Sequence, residues 1–69
     1  MPSPSILSPR ELDVLRLLAN GFQRDGVAAK LGISPETVKS RIKTLMLKLD
    51  VSNAVQAVSR AYELGILRA

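Results

Sequence analysis

The stretch that decides the fold lies mid-chain and reads LGISPETVKSRIKTLMLKL from Leu31 to Leu49. Gly32 is suited to end one helix, because glycine readily adopts the left-handed conformation that closes a helix. Ser34-Pro35 is suited to begin the next, since serine caps a first turn and proline loses nothing by lacking an amide hydrogen there. The short segment between two helices predicts a helix-turn-helix, with a second helix over 35–49.

The predicted helix 35–49 has an apolar side and a cationic side. At about 100° per residue, Lys39 and Lys43 lie on one face with Ser40 beside them. The apolar stripe of the helix consists of Val38, Ile42, Leu45, Met46 and Leu49, of which Val38, Leu45 and Leu49 lie roughly opposite the lysines. No acidic residue occurs between Glu36 and Asp50. The helix therefore has one side for a core and one for an anion, and its place after the turn predicts insertion into the major groove of DNA.

The flanking sequence predicts three further helices and no strand. Ser8-Pro9-Arg10-Glu11 has the form of a capping box and predicts a helix from Pro9 to Asn20. A short helix is expected over Arg24–Leu31, and a fourth from Ser52 or Asn53 to just before Gly65, with Ala57, Ala61 and Leu64 turned toward the first helix. The expected class is all-α, with a flexible N-terminal arm over 1–7 and the helix-turn-helix domain over 8–69.

Composition limits the function classes. The 69 residues suit one domain and carry a net charge of +4, which favours a polyanionic partner. The chain has no cysteine and no histidine, and its six acidic residues are dispersed, so we expect neither an enzyme nor a metal or other cofactor. No apolar run approaches the length of a membrane span, and we expect a cytoplasmic protein.

The residues then resemble a known family. The LuxR/GerE type of transcription regulator is similar through Leu7-Ser8-x-Arg10-Glu11-x-x-Val14-Leu15, Gly21, Val27-Ala28-x-x-Leu31-Gly32-Ile33-Ser34, Thr37-Val38-Lys39, Lys48-Leu49-x-Val51-x-Asn53, Ala57-Val58-x-x-Ala61 and Gly65-Ile66. This resemblance runs from Leu7 to Leu67 without gaps. It implies a four-helix domain that binds double-stranded DNA as a dimer and regulates transcription. Gly26, Gln23, Asp50, Ala54 and Arg41 depart from the usual family residues.

The resemblance also implies roles for individual side chains. It places Lys39, Ser40 and Lys43 at base edges, where lysine can donate to guanine. It implies phosphate contacts for Arg24, Thr37, Arg41 and Lys48.

The fourth predicted helix has an apolar stripe wider than one core contact requires. Val55, Ser59 and Tyr62 centre on a face beside the one expected to pack inward, and Val58 lies at the border. We expect this face to form a homodimer across a two-fold axis.

Three other interpretations remain open. Thr37-Val38-Lys39-Ser40-Arg41 is similar to region four of extracytoplasmic-function sigma factors, which implies a promoter reader bound to RNA polymerase. The segment from Val51 to Leu67 favours the LuxR type, because sigma region four normally ends near the recognition helix. The chain could instead be an adapter that pairs with a larger regulator through its fourth helix, or the effector half of a response regulator.

Overall fold

Four α-helices make up the part of the chain that the computed structural model describes, residues 6–68. They are α1 (Pro9–Ala19), α2 (Arg24–Leu31), α3 (Pro35–Leu49) and α4 (Ala54–Glu63), and no strand occurs among these residues. The predicted all-α class and the bounds of the second and third helices are confirmed. The first helix ends one residue earlier than predicted, with Asn20 as its C-cap. Residues 1–5 of the predicted arm lie outside the described residues, whereas Leu7 at its end is buried.

Side-chain caps define where three of the helices begin. Before α1, the Ser8 amide donates to Glu11 Oε1 at 2.8 Å and the Glu11 amide donates to Ser8 Oγ at 3.2 Å, which completes the predicted capping box. Ser34 Oγ accepts the Thr37 amide of α3 at 3.1 Å, and Asn53 Oδ1 accepts the Gln56 amide of α4 at 2.9 Å. These bonds satisfy amides that have no partner within their own helix.

The core lies where α3 crosses the other three helices, each of which it contacts. Its buried apolar side chains come from every helix and from both flanking segments: Leu7, Val14, Leu15, Val27, Ala28, Val38, Leu45, Leu49, Ala57, Ala61 and Leu67. The packing of this shared cluster fixes the rotation of α3 about its axis. It therefore also determines which side of α3 faces solvent.

The prediction that Leu64 faces the core is wrong, because its side chain is 52% exposed. The helical pattern does not continue that far: α4 ends at Glu63, and the chain turns at Gly65 with a φ of +77°. The Ile66 amide then donates to the Ala61 carbonyl at 2.8 Å, and Leu67 takes the inward position. Ala57 and Ala61 are buried as predicted.

Candidate nucleic-acid interface

The turn between α2 and α3 holds the two helices in a fixed relation. Gly32 ends α2 in the left-handed region with a φ of +67°, and the amides of Gly32 and Ile33 both donate to the Ala28 carbonyl. Ala28 is buried, and its small side chain allows the two helices to approach closely. Val38 of α3 is fully buried. The predicted helix-turn-helix is therefore present, with α3 as its second helix.

The outward side of α3 is positively charged. Lys39, Ser40 and Lys43 are all exposed, as the helical pattern predicts. Among residues 6–68, neither lysine forms an ion pair, whereas Arg10, Arg24, Lys48 and Arg60 each do. The ammonium groups of Lys39 and Lys43 are thus available to an external anion.

A polar depression runs beside this outward side, between α3 and the start of α1. Glu11, Thr37, Ser40, Arg41 and Thr44 line it. The Nε atom of Arg41 is buried and has no hydrogen-bond partner within residues 6–68. A buried donor without a partner costs free energy, so a turn of the Arg41 side chain that brings Nε to an acceptor oxygen in this depression would be favoured. Two predicted phosphate contacts, Thr37 and Arg41, are brought together at this place.

Lys48 differs from Thr37 and Arg41 because it has an internal partner, Glu11, which lines the same depression. Its Nζ is 2.8 Å from Oε1 of Glu11, the same oxygen that accepts the Ser8 amide. Burial of the carboxyl raises the pKa of Glu11, but the hydrogen bonds from Lys48 and the Ser8 amide lower it by more, so this pKa lies below its ordinary value. The pair ties the end of α3 to the cap of α1, a role that sequence reasoning missed. A contact across 37 positions leaves no local signal in the sequence.

Arg24 is the first residue of α2 and therefore does not belong to the outward side of α3. Its Nε is 3.8 Å from Oδ1 of Asp25, and both side chains are largely exposed. An exposed pair of this kind is weak, so the guanidinium can exchange its partner at little cost.

The predicted dimer residues lie on one side of α4. Val55, Ser59 and Tyr62 are exposed and Val58 is half-buried. Val55, Val58 and Ser59 also line a largely apolar groove whose other wall includes Leu18, Phe22 and Ile42. The face is therefore accessible and adjoins further apolar surface.

Two kinds of feature do not occur among the described residues. From Ile6 to Arg68, no helix has the length and apolar character needed to cross a membrane. Over the same range, no three potential ligands from histidine, cysteine, aspartate and glutamate come together as a metal site.

Comparison with known families and proteins agrees with this geometry. The family model GerE, described as "Bacterial regulatory proteins, luxR family", matches residues 5–61. The transcriptional activator protein CarR of Pectobacterium carotovorum is 44% identical over 62 residues, covering 90% of this chain and 25% of CarR. The nitrate/nitrite response regulator protein NarP of Escherichia coli is 47% identical over 53 residues, covering 77% of this chain and 25% of NarP. The chain thus spans about a quarter of the length of these curated relatives.

Two solved structures are similar over almost the whole chain. The transcription factor GerE superposes with a TM-score of 0.87 at 33% identity, covering 93% of this chain and 96% of that one. The response regulator ChrA of a heme-sensing two-component system also gives a TM-score of 0.87, at 34% identity, covering 97% of this chain and 33% of ChrA. The four-helix arrangement is therefore that of GerE, and the match to ChrA is to one part of a longer protein.

Proposed function

The chain belongs to the luxR family of bacterial regulatory proteins, and from that membership we propose that it binds specific sequences of double-stranded DNA and regulates transcription. The observation that carries the proposal is a pair of exposed lysines, Lys39 and Lys43, on the solvent side of the helix that follows the turn, where neither forms an ion pair with any of residues 6–68. The opposite side of α3 is buried, so insertion of α3 into a major groove presents this side to the bases. The proposed role is regulatory, in the cytoplasm, with no catalytic activity and no cofactor.

Base recognition is assigned to Lys39, Ser40 and Lys43. Lysine ammonium groups donate to guanine O6 and N7, and a serine hydroxyl can donate or accept at several base edges. Successive turns of α3 carry the two lysines, which are four residues and therefore about 6 Å apart along the helix axis. That spacing suits contacts to neighbouring base pairs in one groove.

Phosphate contacts are assigned to Arg24, Thr37, Arg41 and Lys48. The strongest support concerns Arg41, because its buried Nε lacks a partner among residues 6–68 and would gain one from a phosphate oxygen beside Thr37 when the side chain turns toward it. Arg24 stands at the N-terminus of α2, where the helix dipole also favours an anion. Lys48 would have to share its ammonium between Glu11 and a phosphate, so its contact is the weakest of the four.

Dimerisation is assigned to Val55, Val58, Ser59 and Tyr62 of α4. The exposed apolar groups on this face lose contact with water when a second copy covers them, and an isologous contact uses the same face twice. A two-fold dimer places the two copies of α3 in successive major grooves, about 10 base pairs apart.

The direct test is selection of bound duplexes from a randomised DNA pool by the purified 69-residue chain at near-physiological salt. The expected result is a two-fold-symmetric motif with half-sites about one helical turn apart. Lys30→Ala serves as the matched control, since it removes one exposed lysine of α2 that makes no ion pair among residues 6–68. It should enrich the same motif as the unmodified chain.

Other outcomes would support the alternative interpretations. A single asymmetric element would favour a promoter reader that acts with RNA polymerase. A folded chain that enriches no sequence would refute specific DNA binding and favour an adapter that pairs with a larger regulator through α4.

A further inference from the structure

The outward side of α3 ends in an apolar side chain. Leu47 is 76% exposed, although its neighbours Leu45 and Leu49 are both buried in the core. Single exposed apolar residues are common on protein surfaces, so exposure by itself assigns no role. The position of Leu47 relative to the base-reading residues is what gives it one.

Leu47 continues the line of side chains assigned to the bases. At about 100° per residue, it lies about 20° around α3 from Ser40, seven residues earlier, and about 40° from Lys43, four residues earlier. The helical rise places it about 6 Å beyond Lys43 and about 12 Å beyond Lys39 along the axis. An α3 that lies along the groove with these lysines at base edges therefore turns Leu47 toward the bases at the far end of the helix.

The groove offers an apolar partner of one kind, the 5-methyl group of thymine. Leucine neither donates nor accepts a hydrogen bond, so guanine or cytosine at this place would have polar edge groups covered without a replacement partner. We propose that Leu47 is a specificity-determining residue that selects thymine at one position of each half-site. The proposal rests on the proposed function and assigns to α3 a contact that its lysines and serine do not make.

The position of Leu47 favours DNA over a protein partner. It shares its side of α3 with Lys43 and Lys39, and a cationic surface attracts phosphate while discouraging the burial needed for an apolar protein contact. The exposed apolar groups of α4, Val55 and Tyr62, lie on another helix. Leu64 is exposed at the end of α4, about 180° around that helix from Val55, and provides a matched control.

The test combines removal of the leucine with removal of the methyl group. Thymines of the selected site are replaced one at a time by deoxyuridine, which lacks only the 5-methyl group. Each duplex is titrated with the unmodified chain, with Leu47→Ala and with Leu64→Ala. At one thymine per half-site the unmodified chain and Leu64→Ala should lose about fourfold in affinity per methyl contact. On the thymine duplex, Leu47→Ala should already bind about fourfold more weakly than the unmodified chain. Its affinity should not fall further when that thymine is replaced by deoxyuridine.

The reverse substitution gives a second readout. With cytosine at that position, 5-methylcytosine should restore part of the affinity for the unmodified chain and none for Leu47→Ala. Two results would overturn the proposal. In one, replacing each thymine by deoxyuridine lowers the affinity of the unmodified chain and of Leu47→Ala by the same factor. In the other, the selected site contains no thymine that is sensitive to this replacement. Specific binding would persist in either case, whereas absence of any enriched site would overturn the proposed function itself.

Discussion

Replacing Lys48 with methionine removes the ammonium group that lies 2.8 Å from Glu11 Oε1 and keeps most of the length of the side chain. The Glu11 side chain is only 8% exposed, whereas that of Lys48 is 39% exposed. A hydrogen bond to a charged group contributes about 1.5–3 kcal/mol, and access of water to Lys48 reduces this to about 1–2 kcal/mol. For a domain of this size, we expect the melting temperature to fall by about 5–15 °C.

The loss of unfolding free energy caused by Lys48→Met should depend on pH. Because the pKa of Glu11 is lowered in the folded protein, its contribution to stability is fully present above its ordinary pKa of 4.5 and is lost as the pH falls through the lower folded-state value. In the methionine variant burial is no longer opposed by Lys48, and the pKa of Glu11 rises. The difference in unfolding free energy should therefore be largest near neutral pH and shrink in acid, where Glu11 is protonated in both proteins.

Urea unfolding followed by circular dichroism between pH 3 and 7 measures this difference. The control is Arg60→Met, which breaks an ion pair of 3.7 Å whose side chains are 47% and 65% exposed. We expect the control to change stability by less than about 0.5 kcal/mol. A Lys48→Met penalty no larger than that of the control, or one that is constant across the pH range, would refute the assignment of Lys48 as a tie between α3 and α1.

Three further predictions concern the bases, the dimer and a strained cap. Lys39→Ala and Lys43→Ala should each weaken the free energy of binding to the selected site by about 1–3 kcal/mol and relax specificity there, whereas Lys30→Ala should do neither. Fluorescence anisotropy measures both affinities, and an equal loss of binding to random DNA would contradict the base contacts. Tyr62→Glu should place a charge in the two-fold contact and yield monomers in analytical ultracentrifugation; a folded variant that remains dimeric would exclude this face. Asp50→Gly should raise the unfolding free energy by about 0.5–1 kcal/mol, because Asp50 has a φ of +57° and glycine adopts this left-handed conformation without a steric penalty. An unchanged urea midpoint would mean that the left-handed cap is not strained.

Local signals were sufficient for most of the helix boundaries. The beginning of α1 and of α3 and the end of α2 follow from residues that act within one turn of themselves: Ser8, Ser34 and Gly32. Cap bonds span three or four residues, so the sequence displays both partners together. The cationic side of α3 followed from periodicity for the same reason, since Lys39 and Lys43 are one turn apart.

The end of α4 depended on more than periodicity. The apolar spacing of Ala57, Ala61 and Leu64 predicted one buried stripe, but the chain turns before the pattern is complete. Leu67 is buried instead, because the Gly65 turn returns it to the core. Periodicity predicts which face a residue would occupy if the helix continues and does not decide whether it continues.

By itself, the sequence determined the four helices, the turn, the family and the cationic side of α3, because each depends on residues close together along the chain. Only the tertiary structure decided which cations remain free. It pairs Lys48 with Glu11, 37 positions away, and leaves the buried Nε of Arg41 without a partner among residues 6–68. The physical reason is that an ion pair or a buried donor depends on distance in space, which is set only when the core packs and brings the end of α3 against the beginning of α1.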